Sequence, residues 1–141
     1  MGTFGTGPFS SDGALDFLGE LADQPPEKRR QALERIFSQV RDHPGLLWRE
    51  FFPDEIVAAA AIVAAFLPGG EYIRQELSCL PDDINRVTLP APDHELTASA
   101  LQALLFAAGP AGPWHQGWVT QQAAAAARQT IDRLTKILAR E

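Results

Sequence analysis

Residues 56–67 read IVAAAAIVAAFL, an uninterrupted apolar run of twelve. A bilayer span needs about 20 such residues, so the run is too short to cross a membrane. It is also too uniformly apolar to lie on a surface. Its length alone would permit a strand. The alanine content and the Pro53-Asp54-Glu55 start favour a helix, and Pro68-Gly69-Gly70 ends it. A helix that is apolar on every side must be enclosed. The remaining sequence therefore has to supply its cover.

Helices are expected on both sides of the run. Over residues 12–23, Asp12, Asp16, Glu20 and Asp23 share one arc, while Leu15, Leu18, Leu21 and Ala22 lie opposite and Phe17 sits at the margin. Pro25-Pro26 breaks that helix and opens the next, in which Ala32, Leu33, Ile36, Phe37 and Val40 step at helical spacing. His43-Pro44-Gly45 stops it, and the short apolar segment 46–52 follows. Residues 71–80 predict a short helix holding Tyr72, Ile73 and Leu77, with Cys79 as a small apolar packer. Residues 81–93 predict a surface loop. A helix follows to Ala108, with Leu96, Leu101, Leu104 and Leu105 inward. After the turn Gly109–Pro113, a last helix runs from about Trp114 or His115 to Arg140, with Trp118, Ile131, Leu134 and Leu138 inward. Its Ala123–Ala127 run is expected to allow close backbone approach.

The expected fold is all-α: a single compact bundle of five or six helices over residues 1–141. Residues 1–11, rich in Gly and Pro with Phe4 and Phe9 between them, are expected to form an ordered arm packed on it. A chain of this length buries roughly 68–70% of its unfolded surface, and needs no disulfide or metal. Cys79 is the single cysteine, which excludes a disulfide scaffold. No secretory signal is visible, and a cytoplasmic location is expected.

The net charge is −6, from 18 acidic and 12 basic residues. Nucleic-acid binding is not expected of such a balance, and no membrane association is expected. The excess is local: residues 53–110 hold 8 acidic and 2 basic side chains. Glu71, Glu76, Asp82, Asp83, Asp93 and Glu95 thus form a candidate surface for a basic protein partner.

No motif announces an activity. Gly5-Thr6-Gly7 lacks the preceding strand that a dinucleotide loop requires. Met1-Gly2 through Thr6 fits a myristoylation pattern but lacks the second membrane signal. His94-Glu95 starts a zinc-protease pattern, but Ala98 stands where the second His is needed. His43, His94 and His115 are widely separated in sequence. No nucleophile elbow surrounds any serine. The expectation is no cofactor, no metal and no catalytic residue. One enzymatic alternative would join Asp12 or Asp16 to a distant His. A second alternative is a small-molecule pocket near Trp48, Phe51, Trp114 and Trp118. The two residues Trp114 and Trp118, spaced i and i+4, could also mark a partner surface.

The N-terminus resembles a bacterial family known only as domain of unknown function 4259. Its members open with Met-Gly-x-Trp-Gly-x-Gly-Pro-Phe-x-Asn-Asp-x-Ala-x-Asp. Here Met1, Gly2, Gly5, Gly7, Pro8, Phe9, Asp12, Ala14 and Asp16 match, Phe4 replaces Trp, and Ser11 replaces Asn. The Ala-rich helix over 58–65 is similar to the family's central helix, although the Glu often found within it is missing from Ala58–Ala61. The resemblance implies a small helical bacterial protein and supplies no activity. The residues add that Phe4 and Phe9 can anchor the arm in a groove, with glycines allowing tight turns between them. The leading expectation is a protein-binding module, regulatory or antitoxin- or immunity-like.

Overall fold

The computed structural model describes residues 12–42, 53–79, 92–108 and 121–139. The arm 1–11, the segment 46–52, most of the loop 81–93, the turn 109–113 and the pair Trp114 and Trp118 lie outside the described residues. The described residues form six helices: α1 (Asp12–Asp23), α2 (Pro26–Asp42), α3 (Pro53–Ala65), α4 (Glu71–Ser78), α5 (His94–Ala108) and α6 (Gln121–Leu138). No strand occurs among them, and the all-α bundle is as expected.

α3 is the axis of the bundle. Every residue from Ile56 to Ala65 is fully buried, and α3 packs against each of the other five helices. The sequence explains this. The small side chains of Ala58–Ala61 let neighbouring axes come close, since interaxial distance follows side-chain size. Ile56, Val57, Ile62 and Val63 supply most of the apolar area, each contributing roughly 1.5–3 kcal/mol on burial.

The other helices bury one stripe each. α1 contributes Ala14, Leu18 and Leu21, and leaves Asp16, Glu20 and Asp23 exposed. α2 contributes Leu33, Ile36, Phe37 and Val40, and α4 contributes Ile73 and Leu77. α6 contributes Ile131, Leu134, Ile137 and Leu138. Three local expectations need correction. Leu105 is 47% exposed. It lies nine positions after the buried Leu96, about half a helical turn away from the core at roughly 100° per residue. Cys79 is exposed: α4 ends at Ser78, so Cys79 falls beyond the Ile73–Leu77 stripe. On α6, Ala125 is exposed rather than packed against a neighbour.

Two turns are fixed by specific atoms. Arg29, the one charged residue buried among those described, sits on the apolar stripe of α2. It donates from Nε to the carbonyl oxygen of Leu21 at 3.1 Å and from Nη2 to that of Ala22 at 3.1 Å. The last carbonyls of a helix have no partner within it, and a cation there also meets the negative end of the helix dipole. Arg29 therefore closes the α1–α2 turn. At the α3–α4 turn, Gly69 adopts φ 94°, a left-handed conformation that L side chains resist. Gly70 is pressed so closely on α3 that a Cβ would overlap the carbonyl oxygen of Ala64. Its own carbonyl accepts from the N–H of Ile73 at 3.0 Å and starts α4.

Candidate interaction surfaces on α5 and its neighbours

α5 begins at a built cap. The Asp93 Oδ1 accepts the N–H of Leu96 at 2.9 Å, and the Asp93 carbonyl accepts the Thr97 hydroxyl at 2.8 Å. This satisfies donors that the first turn would otherwise leave open. The other carboxylate oxygen takes a 2.8 Å bond from Arg30 Nη2, and Arg30 Nε holds Glu34 at 2.8 Å. The Leu96 N–H and then Arg30 hold the Asp93 carboxyl below the usual aspartate range. The starts of α2 and α5 are thus tied together, and the two helices run in parallel.

Some acidic residues of the middle segment already have basic neighbours. Asp93 is engaged by Arg30. Glu71 is exposed, with Arg74 at 3.9 Å. Glu76 lies on the outer side of α4. Partial burial pushes its carboxyl up, and the Arg133 charge on α6 opposes that shift. The same Arg133 guanidinium stands 5.8 Å from the centre of the Tyr72 ring, a distance at which the ring face attracts a cation. Burial raises the Tyr72 hydroxyl, again against the Arg133 charge. Glu95 is exposed on α5. Asp82 and Asp83 lie outside the described residues. Three arginines remote from the middle of the sequence or adjacent in it, Arg30, Arg133 and Arg74, moderate the excess that the linear count suggests.

The enzymatic alternative can be placed only in part. Asp16 is exposed on α1 and His94 is exposed at the start of α5. α1 packs on α3 and α2, and α5 is not among its described neighbours. The Asp12 side chain, His43 and His115 lie outside the described residues, as do Trp48, Phe51, Trp114 and Trp118 of the aromatic pocket and Gly2, Phe4, Gly5, Gly7, Pro8 and Phe9 of the arm. Among the described residues, no group of three or more His, Cys, Asp and Glu is arranged to hold a metal ion.

Two concave surfaces flank α5. On the α2 side, a groove of about 220 Å³ is formed by Phe37 and Val40 of α2 with Ala103 and Phe106 of α5, and is rimmed by Arg41, Ser99 and Gln102. The Arg41 guanidinium is held by Asp42 at 3.0 Å. On the other side, a wider hollow of about 670 Å³ lies between the end of α3, the start of α5 and the end of α6, with Leu67, Leu101 and Leu138 among its apolar walls and Asp93, His94 and Thr97 at its polar edge. Beside the hollow, Ala98 and Leu105 are exposed, next to the half-buried Leu101. Leu105 and Phe106 are 47% and 44% exposed, and are the large apolar side chains exposed among the described residues. Sequence periodicity could have revealed Leu105. Leu105 lies half a turn from Leu96 and well off the arc shared with Ala100, Ala103 and Leu104, while Phe106 falls at the margin of that arc.

A family model for a domain of unknown function, DUF4259, matches residues 2–130. The chain belongs to the DUF4259 family. The match takes in the N-terminal segment and α1 to α5, and ends within α6. No curated protein and no solved structure matches the chain. No described helix is long and apolar enough to cross a membrane.

Proposed function

We propose that this member of the DUF4259 family acts by binding another protein, as a regulatory or antitoxin- or immunity-like module of the bacterial cytoplasm. The observation that carries this reading is the exposure of Leu105 and Phe106, consecutive residues on α5. α5 packs against α2, α3 and α6, yet turns two large apolar side chains to solvent. Large apolar side chains exposed beside a hollow lined by Leu67, Leu101 and Leu138 favour a partner site. The exposed Leu105 beside the 670 Å³ hollow that Leu101 lines suits an amphipathic partner helix that lays its apolar side against α5. α5 contains no Lys or Arg, and Glu95 stands exposed near its start. With a chain net charge of −6, this favours a partner whose apolar anchors are flanked by basic residues.

The test compares the tagged wild-type chain with Leu105→Ser in extracts of the native host. Leu105 is outside the core, so the variant should unfold within about 2 °C of the wild type. A protein recovered stoichiometrically with the wild type should be lost with the variant. Equal recovery by both, or no stoichiometric protein with either, overturns the proposal.

A further inference from the structure

We infer, resting on the protein-binding reading above, which side chains the partner helix brings. It runs antiparallel to α5 and carries a small residue, a bulky apolar residue two turns on, and a basic residue one turn beyond that. The stripe that α5 turns outward dictates this order. His94, Thr97, Ala98 and Leu101 line the hollow of about 670 Å³. Leu105 follows Leu101 by one turn and Ala98 by two, so at roughly 100° per residue it continues the same stripe. α5 therefore presents a hole and a knob in line. Ala98 and Leu105 lie about 10 Å apart along the axis, at roughly 1.5 Å per residue. One straight helix laid along the stripe meets both.

Each level selects a side chain. The hollow has apolar walls in Leu67, Leu101 and Leu138 and is well above the roughly 150 Å³ that holds a benzene ring. It takes a bulky apolar side chain. Leu105 projects, 47% exposed, so the residue facing it has to be small for the helix axes to come close. At the far edge stands Asp93, its side chain 55% exposed. No Lys or Arg occurs among the described residues that line the hollow. The cation on Asp93, Arg30, also holds Glu34, so the three groups together keep one negative charge. A carboxylate has about four acceptor sites, more than the Leu96 N–H and Arg30 fill. A basic side chain of the partner answers that charge. Asp93 precedes Ala98 by about 8 Å along the axis, a distance that a long cationic side chain one turn beyond the bulky residue spans. The helix dipoles set the direction. Asp93 caps the positive end of α5, and a cation is favoured in the last turn of a helix. The partner's C-terminal end therefore lies at the start of α5.

The experiment uses the full chain. The probe is a fluorescein-labelled Ala/Gln helix of about 20 residues, with alanine, tryptophan and arginine at the inferred spacing, and binding is read by anisotropy. Ala98→Trp fills the hollow from an exposed position. It should unfold like the wild type and bind the probe about tenfold more weakly. Leucine in place of the probe's key alanine should weaken binding to the wild type about tenfold, and Leu105→Ala should restore it. Glutamate in place of the arginine should weaken binding, and the gap should shrink in high salt. No binding of the probe, equal binding by Ala98→Trp, no rescue by Leu105→Ala, or indifference to glutamate overturns the inference. In host extract, a protein lost with Leu105→Ser but kept by Ala98→Trp overturns this pattern alone and leaves protein binding standing. No stoichiometric protein with any form of the chain overturns both.

Discussion

Arg29 reaches back from α2 to the carbonyl oxygen of Leu21 on α1, at 3.1 Å. The bond joins the only described buried charge to the exposed end of a helix dipole. The Leu21 carbonyl also accepts the Gln24 N–H at 3.1 Å, so losing Arg29 removes charge-assisted hydrogen bonds, worth about 1.5–3 kcal/mol. Arg29→Leu should therefore lower stability by about that amount in chemical denaturation. Arg29→Lys should lose less but still lose, because an ammonium cannot reach Leu21 and Ala22 with the planar fork of a guanidinium. Equal loss in the two variants would show that packing of the stem matters more than the fork.

Gly70 and Gly19 should respond in opposite directions. A Cβ at Gly70 meets the backbone of Ala64, which has no flexible end to move aside. Gly70→Ala should cost more than about 3 kcal/mol, at or beyond the upper end of ordinary overpacking. Gly19 lies inside α1 with nothing within 4 Å of an added Cβ. Gly19→Ala should stabilise by roughly 0.5–1 kcal/mol. Thermal unfolding of both variants checks the pair.

Asp93 gives the fold an acid-sensitive joint. Its carboxyl titrates below the ordinary aspartate value because the Leu96 N–H and Arg30 favour the charged form. A group depressed in the folded state contributes stability that is present above the unfolded pKa, near 3.8. That contribution is lost as pH falls through the lower folded value. Asp93→Asn keeps a good cap but removes the charge. It should be less stable than the wild type at pH 7, and the gap should close in acid below the folded value. A gap of constant size across pH 2–7 would show that the charge is irrelevant.

The end of α6 lies beyond the family match yet inside the core. Residues Ile131, Leu134, Ile137 and Leu138 are buried, while the match stops at residue 130. A chain ending at 130 loses four apolar side chains, each worth roughly 1.5–3 kcal/mol. Since whole domains hold only about 5–15 kcal/mol, the truncated chain should show no cooperative unfolding transition by circular dichroism. A sharp transition near the wild-type midpoint would mean that α6 is dispensable after Thr130.

The sequence made α3 readable because its signal needs no tertiary information: an apolar run with Pro before it and Gly after it. The stripes of α1 and α2 were equally plain, since each has polar residues on the opposite arc. Leu105 was expected inward with Leu96, Leu101 and Leu104, although one helix buries only one arc. Counting rotation from Leu96 would have turned it outward. Arg29 was missed although its position carried a signal: it precedes Leu33 by four residues on an otherwise apolar stripe. What it bonds to, however, depends on how the Pro25-Pro26 turn folds α1 against α2. The acidic segment was legible only as a sum. Arg30 and Arg133 approach it from distant positions in the chain, and no linear count locates them. The family resemblance was read from the opening residues, Met1 to Asp16, and the family model matches residues 2–130.

The alanines of α3 leave one further mark on this protein. Because five helices converge on one narrow axis, a methyl group added at any of Ala58–Ala61 is felt by more than one neighbour at once. Substitutions there should not behave as independent events. A larger residue on α3 becomes acceptable only beside smaller ones on the helices it displaces, and residues in contact are where additivity fails. Divergence in this core should therefore proceed by paired exchanges across helix contacts. The outward residues of α5, which face no such axis, can change one at a time.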